Sequence, residues 1–318
     1  MKELRNCKVL VTGGNGFVGA NIVRHLLSEG AKVHLILRPN SDRWRLSSIL
    51  RKLTVHEGDI TDHNFVLTVL ESVQPNLVAH CAMFKGYPKN FAEERETFQV
   101  SVMGTLYLLQ ASVNVGVEKF VHFGSSTEYG PRPYPLTENA SMRPAIFRGL
   151  AKGCAAMVCD YFARIHQLPV VNLRLFSVYG PWESPTRFIP TVLRHALWGG
   201  EIPLTAFDAR HDFIFVGDVL EAFTRAVMTE LRQGEVFNIG TGKQWSNSQV
   251  VKVVESLLGR TLPVSVGAHP SHPPDTNFWV AKIDKAKKLL GWQPKHELRD
   301  GLMLTMEWMK RNAKWYRL

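Results

Sequence analysis

The sequence predicts an α/β protein built on a doubly wound parallel sheet, and two features support this prediction. The first is an apolar stretch at 8–12, followed by a glycine-rich turn at 13–19 and a helical pattern from Ala20 to about Glu29. The second is that apolar stretches and helical patterns continue to alternate as far as Gly124. Parallel neighbouring strands need crossover connections, which helices usually supply. The ligand of such a sheet is expected beyond the carboxyl ends of its strands.

The turn after the first strand has the composition of a phosphate-binding loop. Its glycines let the backbone turn tightly and approach a pyrophosphate, whose charge is met by free N–H groups at the start of the following helix. A plain tight turn is the alternative, and the position between a strand and a helix argues against it. The residues predicted to bind a dinucleotide here are Gly13, Asn15, Gly16, Phe17, Val18 and Gly19.

Further strands are predicted along the first half of the chain, with a helical pattern from about Phe91 to Val115 between the last two of them. They span residues 32–37, 53–57, 76–81 and 117–124.

The ends of the second and third strands bear on cofactor binding. Arg38 follows the second strand, where a carboxylate would accept a hydrogen bond from a ribose 2′-hydroxyl and an arginine suits a 2′-phosphate. NADP is therefore favoured over NAD, unless Arg38 only stacks on the adenine or faces solvent. After the third strand, Asp59 is placed to accept a hydrogen bond from the adenine amino group, while Thr61 or Asp62 could equally cap a helix.

The fifth strand ends in the stretch 125–130, which reads Ser-Ser-Thr-Glu-Tyr-Gly. Hydroxyl groups at a strand end point into the expected crevice and could hydrogen-bond a carbonyl or an alcohol that undergoes oxidation. Serines before a glycine turn are also common structural caps, so this pattern alone is a weak indication.

Composition narrows the class of protein. With 45% hydrophobic residues in 318, the chain can bury a large core, and no long apolar stretch indicates a membrane span. The polar start of the chain leaves no room for a signal peptide, so a cytoplasmic protein is expected. The charge of +10 is scattered, so neither nucleic acid nor membrane is expected as a partner. Four cysteines without metal-ligand spacing, and the isolated pair His269 and His272, predict no metal site.

Seven motifs, in order along nearly the whole chain, resemble the extended short-chain dehydrogenase/reductase family. They are the glycine turn and the stretches 58–60, 125–130, 173–181, 211–219, 237–242 and 290–292. The most similar members are nucleotide-sugar epimerases, 4,6-dehydratases and 4-ketoreductases. The resemblance implies a Rossmann-type NAD(P)-binding domain over residues 1–176, to which 205–240 returns. It also implies a smaller, discontinuous α/β part over 177–204 and 241–318 that binds the substrate.

The same resemblance implies roles for further residues. Ile60 would join Asp59 at the cofactor, and Ser125 or Ser126 would bind the reacting oxygen. A homodimer would form through helices at about 91–115 and 148–167. The residues implied at the nucleotide-sugar substrate are Glu128, Tyr129, Ser177, Arg187, His211 and His272.

Three of the substrate residues depart from the family pattern. His211 and His272 stand where the family commonly has arginines that contact the diphosphate or nucleotide, and Ser177 replaces a common asparagine. A histidine donates a hydrogen bond but is charged only when protonated. Both histidines could equally be ordinary loop residues.

The main departure is in the catalytic pair. The family uses a tyrosine and, four residues later on the same helix face, a lysine whose charge lowers the phenol pKa. The phenolate then takes the alcohol proton while hydride passes to the nicotinamide. Lys152 stands at the lysine position, also contacting the cofactor, and Arg148 occupies the tyrosine position. An arginine stays protonated and cannot act as a general base.

Three hypotheses follow from Arg148. In the first, hydride transfer persists and Tyr129, Glu128 or ordered water replaces the phenol. In the second, the protein binds cofactor and nucleotide sugar without redox chemistry, and Arg148 clamps a carboxylate or phosphate. In the third, Arg148 points into solvent and the site is a relic. The first is preferred because the glycine turn and Lys152 are intact.

The preferred hypothesis also sets the direction of the reaction. Reduction of a ketone needs only a proton donor, so it is less damaged by loss of the phenol than an alcohol-deprotonating step. The sequence therefore predicts an NADP-dependent 4-ketoreductase of a nucleotide sugar. An epimerase or dehydratase, or a non-catalytic binding protein, is the alternative.

Overall fold

The computed structural model describes residues 3–84, 86–232, 234–269 and 276–317. Its strands are β1 (Lys8–Thr12), β2 (Lys32–Leu37), β3 (Thr54–Glu57), β4 (Leu77–His80), β5 (Lys119–Ser125), β6 (Val170–Leu175), β7 (Ser177–Tyr179), β8 (Ile202–Leu204), β9 (Arg210–His211), β10 (Phe213–Phe215), β11 (Glu235–Ile239), β12 (Trp245–Ser246) and β13 (Val264–Val266). Its helices are α1 (Phe17–Ser28), α2 (His63–Val73), α3 (Phe91–Phe98), α4 (Gly104–Val115), α5 (Phe147–Ile165), α6 (Phe188–Trp198), α7 (Val216–Met228), α8 (Asn247–Leu258), α9 (Asp284–Leu290) and α10 (Leu298–Arg311).

The main sheet is parallel throughout. Its strand order is β3-β2-β1-β4-β5-β6-β11, so it combines the strands predicted in the first half of the chain with a late strand. This is the strand order of a Rossmann-type sheet, extended at one edge, and it confirms the predicted fold class. The order reverses between β1 and β4, which opens a crevice at their carboxyl ends.

Helices cover both faces of the sheet, which explains the three successive apolar residues in the middle of β1. Val9 and Val11 face the core formed with α1 and α7. Leu10 points the other way, into the core formed with α2, α4 and α5. Successive side chains of a strand alternate between the two faces of the sheet. In a strand covered on both sides, side chains pointing either way are therefore buried, which favours apolar residues.

The helical pattern predicted from Phe91 to Val115 is not one regular helix. A π-helical turn at Gln99–Met103 separates α3 from α4. At the junction, a Cβ on Gly104 would lie 2.7 Å from Cδ1 of Ile60, so only a glycine lets the helix pack this closely on the turn after β3. The periodicity of the sequence did not show this interruption because a π-turn inserts a residue without changing the apolar composition.

A second core lies among α6, α8 and α10 and the short strand pairs β7–β10 and β8–β13. The elements of this core lie on both sides of β11 in the sequence, and at β11 the chain returns to the main sheet, beside β6. The division at residue 176 stays a prediction. No helix in the described ranges has the length and apolar character that crossing a bilayer needs.

An aromatic cluster joins the segment after β2 to the end of the chain. The Trp44 and Trp315 ring centroids are 5.0 Å apart, and those of Trp182 and Trp308 are 4.9 Å apart. Tyr316 donates a hydrogen bond of 2.6 Å to the carbonyl oxygen of Glu183. These contacts hold the C-terminal segment against the part of the fold that borders the glycine turn.

Candidate active site

The glycine turn brings backbone, not side chains, to the crevice. Gly13 has a φ of +66°, and a Cβ there would lie 2.6 Å from the amide nitrogen of Ala82. A Cβ on Gly19 would lie 2.1 Å from the carbonyl oxygen of Gly13. Helix α1 begins after Gly16 without a side-chain cap and without an acidic residue in its first turn. Since the first N–H groups of a helix have no intrahelical acceptor, this turn fits the pyrophosphate of a dinucleotide.

The residues between these glycines hold the turn in place. The Asn15 amide donates to the carbonyl oxygen of Asp42 (3.0 Å), and Arg45 donates to the Asn15 carbonyl (3.3 Å). Phe17 packs against the second core and Val18 against the core under α1. The turn is therefore anchored on both sides.

The structure also shows the surroundings of the residues at the strand ends that are predicted to contact the adenosine half of the cofactor. Arg38 is exposed, with Nη1 3.6 Å from Oε1 of Glu96. Asp59 Oδ1 accepts from the backbone N and the hydroxyl of Thr61, each at 2.9 Å, which fixes the turn after β3. Ile60 is buried against Gly104. Their contact with a cofactor stays a prediction.

The two serines at the end of β5 differ in their surroundings. The Ser126 hydroxyl is buried and accepts a hydrogen bond of 3.0 Å from the indole N–H of Trp279. The Ser125 hydroxyl is half-buried and lies 2.8 Å from the Thr127 hydroxyl. The structure therefore leaves Ser125 as the better candidate for binding a reacting oxygen.

Glu128 and Tyr129 lie in a buried polar network, with no exposed surface. The Arg174 guanidinium donates 2.7 Å and 2.8 Å hydrogen bonds to the Glu128 carboxylate and the Tyr129 hydroxyl, and Tyr129 donates to Asn238 (2.7 Å). The other Glu128 oxygen accepts from the Ser125 backbone N–H at 2.7 Å.

This network corrects two expectations. Glu128 and Tyr129 have their polar atoms engaged inside the protein, so the structure does not present them to a substrate. For the same reason neither is free to replace the missing phenol. Burial raises the pKa of Tyr129 to about 12, which further disfavours its phenolate.

Helix α5 carries Arg148 and Lys152 and packs against the end of β5 and the turn that follows it. A Cβ on Gly149 would lie 2.4 Å from the carbonyl oxygen of Thr127, so a glycine at this position lets the first turn of α5 pack directly on the turn after β5. The buried Lys152 ammonium donates a hydrogen bond of 2.6 Å to the Phe123 carbonyl. Burial lowers the pKa of Lys152 to about 8, with Glu128 opposing the shift and Arg148 adding to it.

Arg148 has unusual partners for a half-buried guanidinium. Its Nη2 donates to Sδ of Met83 at 3.1 Å, and its guanidinium carbon lies 5.9 Å from the ring centroid of Tyr87. Burial lowers the pKa of Arg148; Tyr87 opposes this shift, and the positive charge of Arg187 adds to it. The hypothesis that Arg148 points into solvent does not match this half-buried position.

A row of buried polar residues crosses the sheet behind Lys152. Thr12, His80, His122 and Asn172 occupy paired positions on β1, β4, β5 and β6. His80 is hydrogen-bonded to Thr12 (2.7 Å) and Thr105 (2.8 Å), whereas both ring nitrogens of His122 and both amide atoms of Asn172 lack a partner among the described residues. Burial and then the Lys152 charge lower the pKa of both histidines, to about 3 for His80, so the row stays neutral beside the lysine.

The remaining predicted substrate residues lie on the second part of the fold. Arg187 immediately precedes α6, is exposed, and has Nε 3.8 Å from Oε1 of Glu183. Ser177 begins β7 and is half-buried, as is His211 on β9. His272 lies outside the described residues.

Sequence reasoning missed several residues that shape this site. Met83 and Tyr87 contact Arg148, and Trp279 holds Ser126. The sequence does contain an indication that His80 lies beside His122. Each histidine lies near the end of a predicted strand, and the ends of neighbouring parallel strands lie side by side.

Comparison with known proteins places these features in context. Residues 9–240 match the model of the NAD dependent epimerase/dehydratase family. A UDP-glucose 4-epimerase of Lactobacillus helveticus is 28% identical over 330 residues, which cover 97% of this chain and 99% of that protein.

Solved structures with this fold cover nearly the whole chain. A UDP-glucose 4-epimerase from Thermotoga maritima, solved with UDP-glucose, has a TM-score of 0.88 and 27% identity over 96% of this chain and 99% of that one. A UDP-glucuronic acid 4-epimerase from Bacillus cereus, in complex with UDP-glucuronic acid and NAD, has a TM-score of 0.85 and 25% identity over 96% and 99%.

Replacing Glu128 by Gln should strongly destabilise the fold. The substitution leaves the Arg174 charge buried without a counter-charge, which typically costs about 3–5 kcal/mol of unfolding free energy. Urea unfolding of both proteins measures this loss. The matched control is Asp160→Asn, which removes an exposed ion pair with Arg164 (2.8 Å) and should cost less than about 1 kcal/mol. Equal effects of the two substitutions would contradict the structural role of Glu128.

Proposed function

Because the chain belongs to the NAD dependent epimerase/dehydratase family, we propose that it transfers hydride at C4 of a nucleotide-diphosphate sugar. Reduction of a 4-keto sugar is the proposed direction. The observation that carries the proposal is the placement of Lys152 and Ser125 at one end of the crevice, with Arg148 where the resemblance expects a tyrosine.

The protein residues fit a nicotinamide dinucleotide, which when bound supplies or accepts the hydride. The turn at Gly13, Gly16 and Gly19 would hold the pyrophosphate, and Lys152 would hold the nicotinamide ribose. Arg187 and His211 would meet the diphosphate of the sugar nucleotide. Ser125 would hydrogen-bond the oxygen on the reacting carbon.

The available proton donors favour reduction. Reducing a ketone adds a hydride to carbon and a proton to oxygen, whereas oxidising the alcohol needs a base. Arg148 cannot act as a base, and Glu128 and Tyr129 are engaged in the buried network. The Lys152 ammonium remains as the proton source, because the described residues engage only one of its three N–H groups, at the Phe123 carbonyl. The amine left after the transfer regains its proton from solvent. Since the pKa of Lys152 is about 8, its ammonium is present below that pH and lost above it.

The test is isotopic. The 4-keto forms of nucleotide hexoses, incubated with the protein and deuteride-labelled NADPH or NADH, should gain one deuterium on C4, seen by mass spectrometry. The hexoses themselves are already reduced at C4 and should gain none. The labelling rate should fall as pH rises through about 8. Interconversion of 4-epimers would indicate an epimerase instead. Cofactor binding without label on any sugar would favour a non-catalytic binding protein.

Lys152→Met is the companion variant. It should abolish labelling while the circular dichroism spectrum and thermal unfolding remain those of a folded protein. Full activity in this variant would contradict the role given to Lys152.

NADP is the proposed cofactor. Arg38 stands at the end of β2 with an exposed guanidinium, and its ion partner among the described residues is the exposed Glu96, so it can turn towards a 2′-phosphate at little cost. The neighbouring carboxylate, Glu57 at the end of β3, is already paired with Arg43.

Arg38→Gln should weaken NADPH binding about tenfold and leave NADH binding within about twofold, because only NADPH carries the phosphate. Quenching of protein fluorescence by each cofactor measures both affinities. Arg51→Gln, which removes a positive charge from another exposed position, is the control. A preference of the unmodified protein for NADH over NADPH would contradict the role given to Arg38.

We also propose that two copies of the chain pair through α3, α4 and α5. Large apolar side chains are exposed along one face of α5, at spacings of seven, four and four residues. They are Leu150, Met157, Tyr161 and Ile165, exposed by 42%, 53%, 49% and 55%. Phe91, at the start of the adjoining α3, is 81% exposed. Contiguous exposed apolar surface of this kind usually marks a protein interface.

Met157→Glu should convert the dimer to a monomer, since it places a charge in the apolar interface. Sedimentation velocity gives the mass of each variant. The control, Leu289→Glu, places the same charge at a side chain on α9 that is 40% exposed. A dimer that survives Met157→Glu and dissociates with Leu289→Glu would locate the interface elsewhere.

A further inference from the structure

The guanidinium of Arg148 is a half-buried cation without a counter-charge. Of the described residues, none places a carboxylate within 4.0 Å of it, and its contacts are the Met83 thioether and the Tyr87 ring. A thioether sulfur is a weak hydrogen-bond acceptor. Arg38, Arg43, Arg174 and Arg187 each have a glutamate oxygen within that distance. Arg45 has no carboxylate that close among the described residues, but it donates to the carbonyl oxygens of Asn15 and Trp182.

Its surroundings increase the positive charge instead of balancing it. Lys152 lies one helical turn further along α5, and Arg187 is close enough to lower the pKa of Arg148. Arg148 also sits in the first turn of a 19-residue helix that has no side-chain cap and no acidic residue there. The N-terminal end of a helix carries partial positive charge and favours an anion.

A half-buried cation in such a place is expected to be compensated by something that binds there. A carboxylate suits a guanidinium best among small anions, because its two coplanar oxygens match two parallel N–H groups. Gly149, next to Arg148, packs against the Thr127 carbonyl in the turn that begins at Ser125, which would hold the oxygen on C4. A carboxylate on the neighbouring ring carbon, C5, would lie within reach of Arg148.

We propose that Arg148 binds a carboxylate on the sugar ring, so that the substrate is a nucleotide-linked sugar acid. This inference rests on the proposed function, and it gives Arg148 a role in choosing the substrate in place of a role in proton transfer. The negative charge of the diphosphate is assigned to Arg187 and His211, in the second part of the fold.

Calorimetric titration tests the inference without requiring turnover. The probes are two pairs that differ at C6 only, UDP-glucuronic acid with UDP-glucose and GDP-mannuronic acid with GDP-mannose, added to the full chain saturated with NADPH. In at least one pair, the acid should bind at least tenfold more tightly than the neutral sugar.

Arg148→Gln should remove that preference, leaving the neutral sugar's affinity within about threefold and the melting temperature nearly unchanged. Arg187→Gln should weaken acid and neutral sugar alike.

The outcomes separate this inference from the proposed function. Equal binding of acid and neutral sugar, or a preference that survives Arg148→Gln, would overturn the carboxylate assignment and leave the proposed function standing. An acid preference lost only in Arg187→Gln would assign the carboxylate to that arginine and overturn the role of Arg148. Failure of all four sugars to bind, although the deuteride test labels a 4-keto sugar, would overturn the carboxylate assignment and leave the proposed function standing. Failure in both tests would overturn both proposals.

Discussion

The buried ion pair between Glu128 and Arg174 holds the candidate site together. Arg174 on β6 reaches the turn after β5 with a hydrogen bond of 2.7 Å, and the second oxygen of Glu128 fixes the backbone of Ser125. Asn238 on β11 extends the same network through Tyr129. A Cβ on Gly124 would lie 2.6 Å from Oε1 of Glu128, so the glycine is needed for the carboxylate to lie there. Strands β5, β6 and β11, which lie far apart in the sequence, thereby set the position of one half-buried hydroxyl.

The charges around this hydroxyl follow a consistent physical pattern. The Lys152 ammonium is buried beside imidazoles that burial keeps neutral, so these histidines add no further positive charge next to it. Arg148 lies on the crevice side of it, at the start of α5. The positive potential of the site is therefore directed towards the space a substrate would occupy, which favours binding of an anion.

Loss of a phenol does not by itself remove the rest of the catalytic scaffold. In the proposed function, the glycine turn, the hydroxyl at the end of β5 and the lysine on α5 would keep the roles that the resemblance implies. In the two proposals above, the chemical role of this one position changes from proton exchange, which the resemblance implies, to charge recognition. A reaction that consumes a proton is compatible with that change, since the lysine ammonium can supply it.

The sequence by itself determined the fold class, the cofactor turn and the spacing of Arg148 and Lys152, because these features are local. Glycines, apolar periodicity and a four-residue helical interval express themselves wherever the segment folds. Only the tertiary structure decided that Ser126 is held by Trp279 and that Glu128 and Tyr129 are withdrawn from the crevice. Those partners lie 153, 46 and 109 residues away in the sequence, and their contacts depend on strand register and packing that no local pattern encodes.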